Sequence, residues 1–459
     1  MEPIKQNEQL NITKFMKIHT AILTLLLSVI SLKAQESFDL KACVNYALTN
    51  NFDLLQATIE QESIDYRIKE QMSAGLPQIN GFATFSDNVL IPTQLVPGEF
   101  FDPNLAGTFL PVKFGVHYSV GAGVEINQLL YSQQFFNGLK AARKAKDVVD
   151  ISIDQAKEQI IYNVASYYYQ AQAFKIQLEM LENNYNRLSD ITDITQVQYD
   201  NDMVRKLDLN QLIINKKNLE TQLNNAKIAY DQQINALKII LGMDVTDELE
   251  LVDEDIKIQD QEYDEAFQVV NNIAQKALKA KMEMSELEYK TTKAGYFPSL
   301  HLTFNTSING QFDKFKFKDK GAFNRYPYMM IGLTLNVPIF DGLKRNSQLK
   351  QKRLAIEQLK LNQEKTNRQL NLQYQNALYT IQQNKSNFKH QKENLGYANE
   401  LYDAIKHTYN DGMSNITELI NAENSLKDAQ NNYLNSLMKI KISELDELYI
   451  SGKINELIY

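Results

Sequence analysis

Residues 409–421 read YNDGMSNITELIN, a turn-forming knot around Gly412 in a stretch, 339–459, that is otherwise helical in pattern and holds no proline. Residues 199–211, YDNDMVRKLDLNQ, follow the same outline. Tyr199 matches Tyr409, Met203 matches Met413, Asp208 matches Glu418 and Leu209 matches Leu419, all at one offset, 409 − 199 = 210. Two helix breaks at equal places in two copies of one pattern predict two helical hairpins, each reversing at a tip.

The prolines locate what lies between the helices. Apart from Pro3 they fall in two windows, Pro77 to Pro111 and Pro298 to Pro338, and residues 112–297 hold none. A proline inside a helix costs about 3 kcal/mol, so this segregation predicts two non-helical islands. In the first, Val116, Tyr118, Val120, Ala122, Val124 and Ile126 alternate with His117, Ser119, Gly121, Gly123, Glu125 and Asn127. In the second, Leu302, Phe304, Thr306 and Ile308 alternate with Thr303, Asn305 and Ser307, and Leu333, Leu335 and Val337 with Thr334 and Asn336. A period of two gives a strand one apolar and one polar face. The expected strands are 77–90, 114–128, 298–310 and 326–338, with 89–114 and 311–325 as loops. Alternation alone fits both a sheet on a soluble core and a membrane sheet with a wetted polar face. Four strands cannot close a membrane barrel, for which about eight is the lower limit, so the membrane reading requires several copies of the chain.

Composition narrows the function classes. Across 459 residues, Lys+Arg 48 against Asp+Glu 56 gives a net charge of −8, and no basic patch with interleaved aromatics occurs, which argues against nucleic acid as a partner. A single cysteine, Cys43, excludes an internal disulfide and a cysteine-based zinc cluster. The five histidines are scattered, with no Ser/His/Cys constellation, so no catalytic residue, metal site or cofactor is expected and the chain does not read as an enzyme. Lys14 and Lys17 precede an apolar run from Ala21 to Leu32 that ends at Ala34, the layout of a secretory signal too short to span a membrane as a helix. Glu2 and Glu8 suit such a leader poorly, so the expected translation start is Met16. Cys43, in Leu40-Lys41-Ala42-Cys43, reads either as a faint lipoprotein acceptor or as a buried thiol in the first helix.

The expected organisation is a signal region, 1–34; a first repeat, 35–252, with its tip near 199–205; an acidic linker, 253–265; and a second repeat, 266–459, with its tip near 409–415. Each repeat reads helix, strand pair, very long helix, tip, helix. Tyr374, Ile381, Phe388, Leu395, Tyr402 and Tyr409 recur every seven residues; Val164, Ala171, Leu178, Tyr185, Thr192 and Tyr199 stand 210 positions earlier. A strict heptad predicts helices packed with left-handed supercoiling. At 1.5 Å per residue, a helix over 341–408 runs about 100 Å, and its Gln, Asn and Lys content places it in water.

The order and repetition of these features resemble the TolC-like outer-membrane efflux proteins. The resemblance rests on SFDLKACVNYALTNNFDLL, the strand entries AGLPQ and AGYFPSL, NVPIFDGLKR at the start of the second long helix, and Tyr-x-x-Gly-x-x-x-x-x-Glu-Leu from Tyr409. It implies a mainly α fold with a membrane β-barrel portion: a homotrimer whose chains each lend four strands to a twelve-stranded barrel set in outer-membrane lipid, continued by an α-helical periplasmic tunnel. It further implies a periplasmic adaptor and an inner-membrane transporter as partners, with the energy supplied by the pump. By the same resemblance, Tyr409, Glu418, Asn421, Asp208 and Tyr199 occupy positions of the periplasmic constriction. Asp202, Met203, Gly412, Met413, Ser414 and Asn415 then form the adaptor-docking tips. Three departures stand out: Ser414 where the family is often basic, Asn421 where it is acidic, and Asp202 in place of a glycine, from which a first turn of different shape is expected. The alternative is a structural or adhesive periplasmic coiled-coil protein without a pore. The cargo, whether drugs, peptides, proteins or metal ions, is not encoded in these features.

Overall fold

In a computed structural model of the chain the described residues are 37–253, 256–258, 267, 269–314 and 324–458. The signal region, Met16, most of the acidic linker and most of the 311–325 loop lie outside them. The elements run β1 (Ser37–Phe38), α1 (Leu40–Asn50), α2 (Phe52–Ser73), β2 (Gln78–Asp87), β3 (Thr93–Pro97), β4 (Phe109–Lys113), β5 (Tyr118–Ser132), α3 (Gln133–Asp200), α4 (Lys206–Leu241), β6 (Glu250–Leu251), α5 (Ile273–Ala294), β7 (Ser299–Phe312), β8 (Asn324–Asn336), α6 (Lys344–Asn410) and α7 (Ile416–Ser451), with short 3₁₀ turns between some of them. The described residues fall into two compact units, one within Ala57–Asp154 and Ile273–Gln369, the other within Met1–Gln56, Gln155–Asn272 and Leu370–Tyr459. They do not coincide with the two repeats, since each draws segments from both.

The first unit holds a four-stranded antiparallel sheet in the order β2-β5-β7-β8. Its register lines up apolar side chains across all four strands. Ile79, Ile126, Phe304 and Ile331 form one row, Ala83, Ala122, Ile308 and Pro327 another. On the opposite face the rows are polar or small across β2, β5 and β7, with Asn80, Glu125 and Asn305 in one and Thr84, Gly121 and Asn309 in another, and end on β8 at Met330 and Tyr326. Because successive side chains point to opposite sides, the sheet has one apolar and one polar face. The apolar face is bare within the chain, with Ile79 66%, Ile331 71% and Leu333 66% exposed. At one end of that face Tyr118 stacks between Phe85 and Phe312, with ring centroids 6.0 and 5.4 Å away.

On the polar face the ring of Phe82 lies over Gly123. A Cβ there would stand 2.4 Å from the Thr306 carbonyl oxygen and 2.9 Å from the Phe82 ring, whereas one at Gly81 would meet nothing within 4 Å. Among the described residues, β2 and β8 each have only one strand neighbour. The expected 89–114 loop differs from the reading: it contains the β3–β4 hairpin, in which Leu95 pairs with Pro111 and Pro97 with Phe109. A two-stranded ribbon tolerates these prolines because neither needs a second ladder.

In the second unit the heptad rows face inward. Tyr374, Ile381 and Tyr402 on α6 are buried, as are Val164, Ala171 and Thr192 on α3. Thr192, polar in an apolar row, satisfies its hydroxyl by donating to the Leu188 carbonyl at 2.7 Å. Leu181, Leu188, Leu212, Leu219, Leu419 and Leu426 join α3, α4 and α7 with α6 Tyr402 in one core.

The ends of α4 and α7 reveal the duplication again. Gly242 and Gly452, at 452 − 242 = 210, cap them in the left-handed region with φ of 83° and 75°. Asn51 donates from Nδ2 to the Ile240 carbonyl at 2.7 Å, and Asn272 donates to the Ile450 carbonyl at 2.9 Å. A Cβ at Gly242 would sit 2.3 Å from the Asn50 carbonyl oxygen, so each glycine supplies both a backbone conformation and a close approach. Cys43 is fully buried in α1, and burial pushes its thiol up to about 12, the state of an inert core cysteine.

The contrast between the two sheet glycines is testable. Gly123→Ala should cost about 1–3 kcal/mol through overpacking and lower the yield of folded protein in the outer-membrane fraction. Gly81→Ala should leave that yield unchanged.

Candidate functional site: the hairpin tips

Both long hairpins reverse through the same turn. At the first tip the Met203 amide donates to the Gln198 carbonyl at 2.9 Å and the Asp202 amide to the Tyr199 carbonyl at 2.9 Å. At the second, the Met413 amide donates to the Thr408 carbonyl at 2.8 Å and the Gly412 amide to the Tyr409 carbonyl at 3.0 Å. This pair of bonds is a Schellman motif, which requires a left-handed residue after the helix. Gly412 takes it at φ 74° and Asp202 at φ 57°. The expected difference in shape is therefore corrected: Asp202 adopts the glycine conformation, as a short polar side chain can, at a cost of about 1 kcal/mol.

The helices that leave the tips start differently. Asn415 caps α7: its Oδ1 accepts from the Glu418 amide at 3.0 Å, and its Nδ2 donates to Glu418 Oε1 at 3.1 Å. Ser414 Oγ donates to the other carboxylate oxygen of Glu418. The Glu418 carboxylate thus closes a reciprocal cap, and its charge also lies at the positive end of the α7 dipole. At the first tip Arg205 has no side-chain cap to offer. Instead its guanidinium forks onto Asp208, Nε to Oδ2 at 3.0 Å and Nη2 to Oδ1 at 2.8 Å. That hydrogen-bonded cation holds the Asp208 carboxyl below the usual carboxylate range. A lowered pKa adds stability above the ordinary value that is lost as pH falls through the lowered one. Arg205 is 77% exposed, so solvent screening keeps the contribution small.

One bond joins the hairpins near the tips, between Thr195 Oγ1 on α3 and the Tyr409 hydroxyl on α6, 3.1 Å apart. Tyr409 and Tyr199 are both half-buried. Asn421 is exposed, with its backbone carbonyl accepting from Ser425 Oγ at 2.9 Å. Met203 and Met413 project at the turns, each 74% exposed. Of the residues expected to act together, the structure gathers Ser414, Asn415 and Glu418 at one tip; Asp208 binds within the other. Thr195 and Arg205 were not anticipated, because a threonine in a helix and an arginine after a turn carry no signal until the second hairpin or the next turn is placed beside them. Among the described residues no group of three or more His, Cys, Asp or Glu could hold a metal ion, and no helix is long and apolar enough to cross a membrane.

The profile of a known family, described as Outer membrane efflux protein, matches residues 43–243 and 269–446. The chain belongs to the outer membrane efflux protein family. Outer membrane protein TolC of Salmonella enteritidis is 22% identical over 362 residues, covering 73% of this chain and 69% of the relative. Among solved structures, CusC superposes with a TM-score of 0.72 at 16% identity, covering 92% of this chain and 95% of that one. The Campylobacter jejuni CmeC outer membrane channel gives 0.70 at 17% identity, covering 90% and 85%. The chain is accordingly an outer-membrane efflux channel with a periplasmic helical tunnel, not an enzyme.

The two turns make a matched pair for hydrogen exchange. Asp202→Gly should slow exchange of the Met203 amide about fivefold, and Gly412→Ala should speed exchange of the Met413 amide by a similar factor, as expected for about 1 kcal/mol of turn strain.

Proposed function

We propose that three copies of the chain assemble into a channel that passively exports what an inner-membrane pump delivers through a periplasmic adaptor, and that the channel is gated at the tips. The observation that carries the reading is the sheet register. Its rows set a lipid-compatible face against a more polar one, on four strands whose outer edges have no strand partner among the described residues. Pairing β8 of one copy with β2 of the next would give twelve strands around a wetted interior, within the range of membrane barrels.

The tips suit docking and gating for different reasons. Met203 and Met413 offer flexible apolar contacts on turns of fixed shape, which fits a partner helix of an adaptor. Tyr409, tied to Thr195, would hold the two hairpins of one chain together in the closed state. Glu418 and Asn421 lie three residues apart on α7, on one helix face, and both are exposed. Repeated around a threefold axis they would form a ring of carboxylates and amides that attracts cations. Asp208, neutralised by Arg205, contributes less to that ring than its position alone implies.

Two measurements test this. Glu418→Gln keeps an acceptor for Ser414 and Asn415 but removes the charge, so the channel should lose most of its block by multivalent cations in planar bilayers. Equal block in both forms would count against the ring. Asn415→Cys, carrying a photoreactive label in cells, should crosslink to a periplasmic adaptor, and a labelled channel that captures none would remove the docking assignment.

A further inference from the structure

Between the two hairpins, about two to four turns from the tips, lies a polar cluster that the channel reading does not use. Arg187 on α3, Tyr402 on α6 and Glu423 on α7 converge there. The guanidinium carbon stands 5.0 Å from the centre of the Tyr402 ring. Arg187 Nη2 is 3.7 Å from Glu423 Oε1, too far for a hydrogen bond. Tyr402 is only 2% exposed. Among the described residues, Arg187 Nε, the Tyr402 hydroxyl and Glu423 Oε1 are buried without a hydrogen-bond partner. Three such atoms in one place are unusual, since each would cost about 1–3 kcal/mol if left unserved.

The three atoms are complementary to one kind of ligand. Arg187 Nε can only donate, Glu423 Oε1 can accept, and a tyrosine hydroxyl does either. A water molecule can accept from the first, donate to the second and bond the third. Tyr402 and Glu423 border a cavity of about 110 Å³ that also touches Asn215, Asn218 and Asn424, room for water at about 30 Å³ per molecule, while Arg187 packs beside them outside its lining.

We propose that Tyr402 and Glu423 are ligands of water bound in this cavity, with Arg187 packed against both, and that the assembly is a proton-sensitive joint between the hairpins. The groups facing Glu423 are Arg187 from α3, Lys406 from α6 and Lys427 on its own helix. Asp403 adds a negative charge near Tyr402, and α4 presents the neutral amides of Asn215 and Asn218. Burial outweighs the neighbouring cations and raises the Glu423 carboxyl above its ordinary 4.5. A group raised in the packed state contributes stability that is complete below the ordinary value and is lost as pH rises through the raised one. The packed joint is therefore the proton-rich state, and mild acid tightens it.

This inference depends on hairpin packing and not on the tips acting as a gate, so its test does not use conductance. Asn201 and Asp411 are exposed at the two tips. Both are changed to cysteine in the full chain and spin-labelled, with labelled chains diluted into unlabelled ones. Cys43 is buried and should stay unlabelled. The distance distribution between labels should narrow when pH is lowered from neutral to near the ordinary carboxyl value of 4.5. Glu423→Gln should give the narrow distribution at both values. Tyr402→Phe, which removes one water ligand and no charge, should be broader than the parent at both. A parent distribution that ignores pH, a Glu423→Gln variant broad at both, or a Tyr402→Phe variant identical to the parent would overturn the joint.

Discussion

In a bilayer every backbone N–H and C=O must find a partner within protein, because hydrocarbon offers none. That constraint governs this chain through the open edges of β2 and β8. A soluble sheet could leave such edges to water, blunted by charge or proline. Here the rows across β2, β5, β7 and β8 put isoleucine, leucine and methionine on the same face, and they are bare. The chain belongs to a family of outer-membrane proteins, and a bare apolar face suits lipid. An apolar face that needs lipid and edges that lipid cannot serve are compatible only when neighbouring copies pair the edges.

The helical unit answers a different constraint, because it lies in water. It has an apolar stripe to bury, and the heptad rows of α3 and α6 bury it against α4 and α7. The duplication makes this economical, since one geometry serves twice. The Asn51 and Asn272 bonds fasten α4 and α7 at one end of each hairpin, and the Schellman turns at Asp202 and Gly412 close the other. Between these ends the two hairpins share the apolar core around Tyr402 and add a few polar contacts, Thr195 with Tyr409 among them.

Much of this was legible in the chain because it is periodic. Period two located the sheet, period seven the hairpin core, and the offset of 210 the second copy of each. What was not legible is non-local or steric. The β3–β4 hairpin hides behind Pro97 and Pro111, which read as loop until their places on a two-stranded ribbon are seen. Asp202 read as a departure from a glycine turn, yet its short side chain lets it keep that turn. Glu418 was visible as a charge but not as half of a cap with Asn415, and Asp208 was visible as an acid but not as the partner of Arg205. The Arg187, Tyr402 and Glu423 cluster joins positions far apart in sequence, and Tyr402 read only as a core heptad residue.

The central claim is that the sheet is one third of a barrel. The most direct measurement is the mass of the protein extracted from outer membranes in mild detergent, by native mass spectrometry or light scattering corrected for detergent, alongside its electrophoretic mobility before and after boiling. The account predicts a particle of three chains that collapses to one on boiling. A monodisperse single chain with its sheet intact would contradict it, because β2 and β8 would then be stable in lipid without partners.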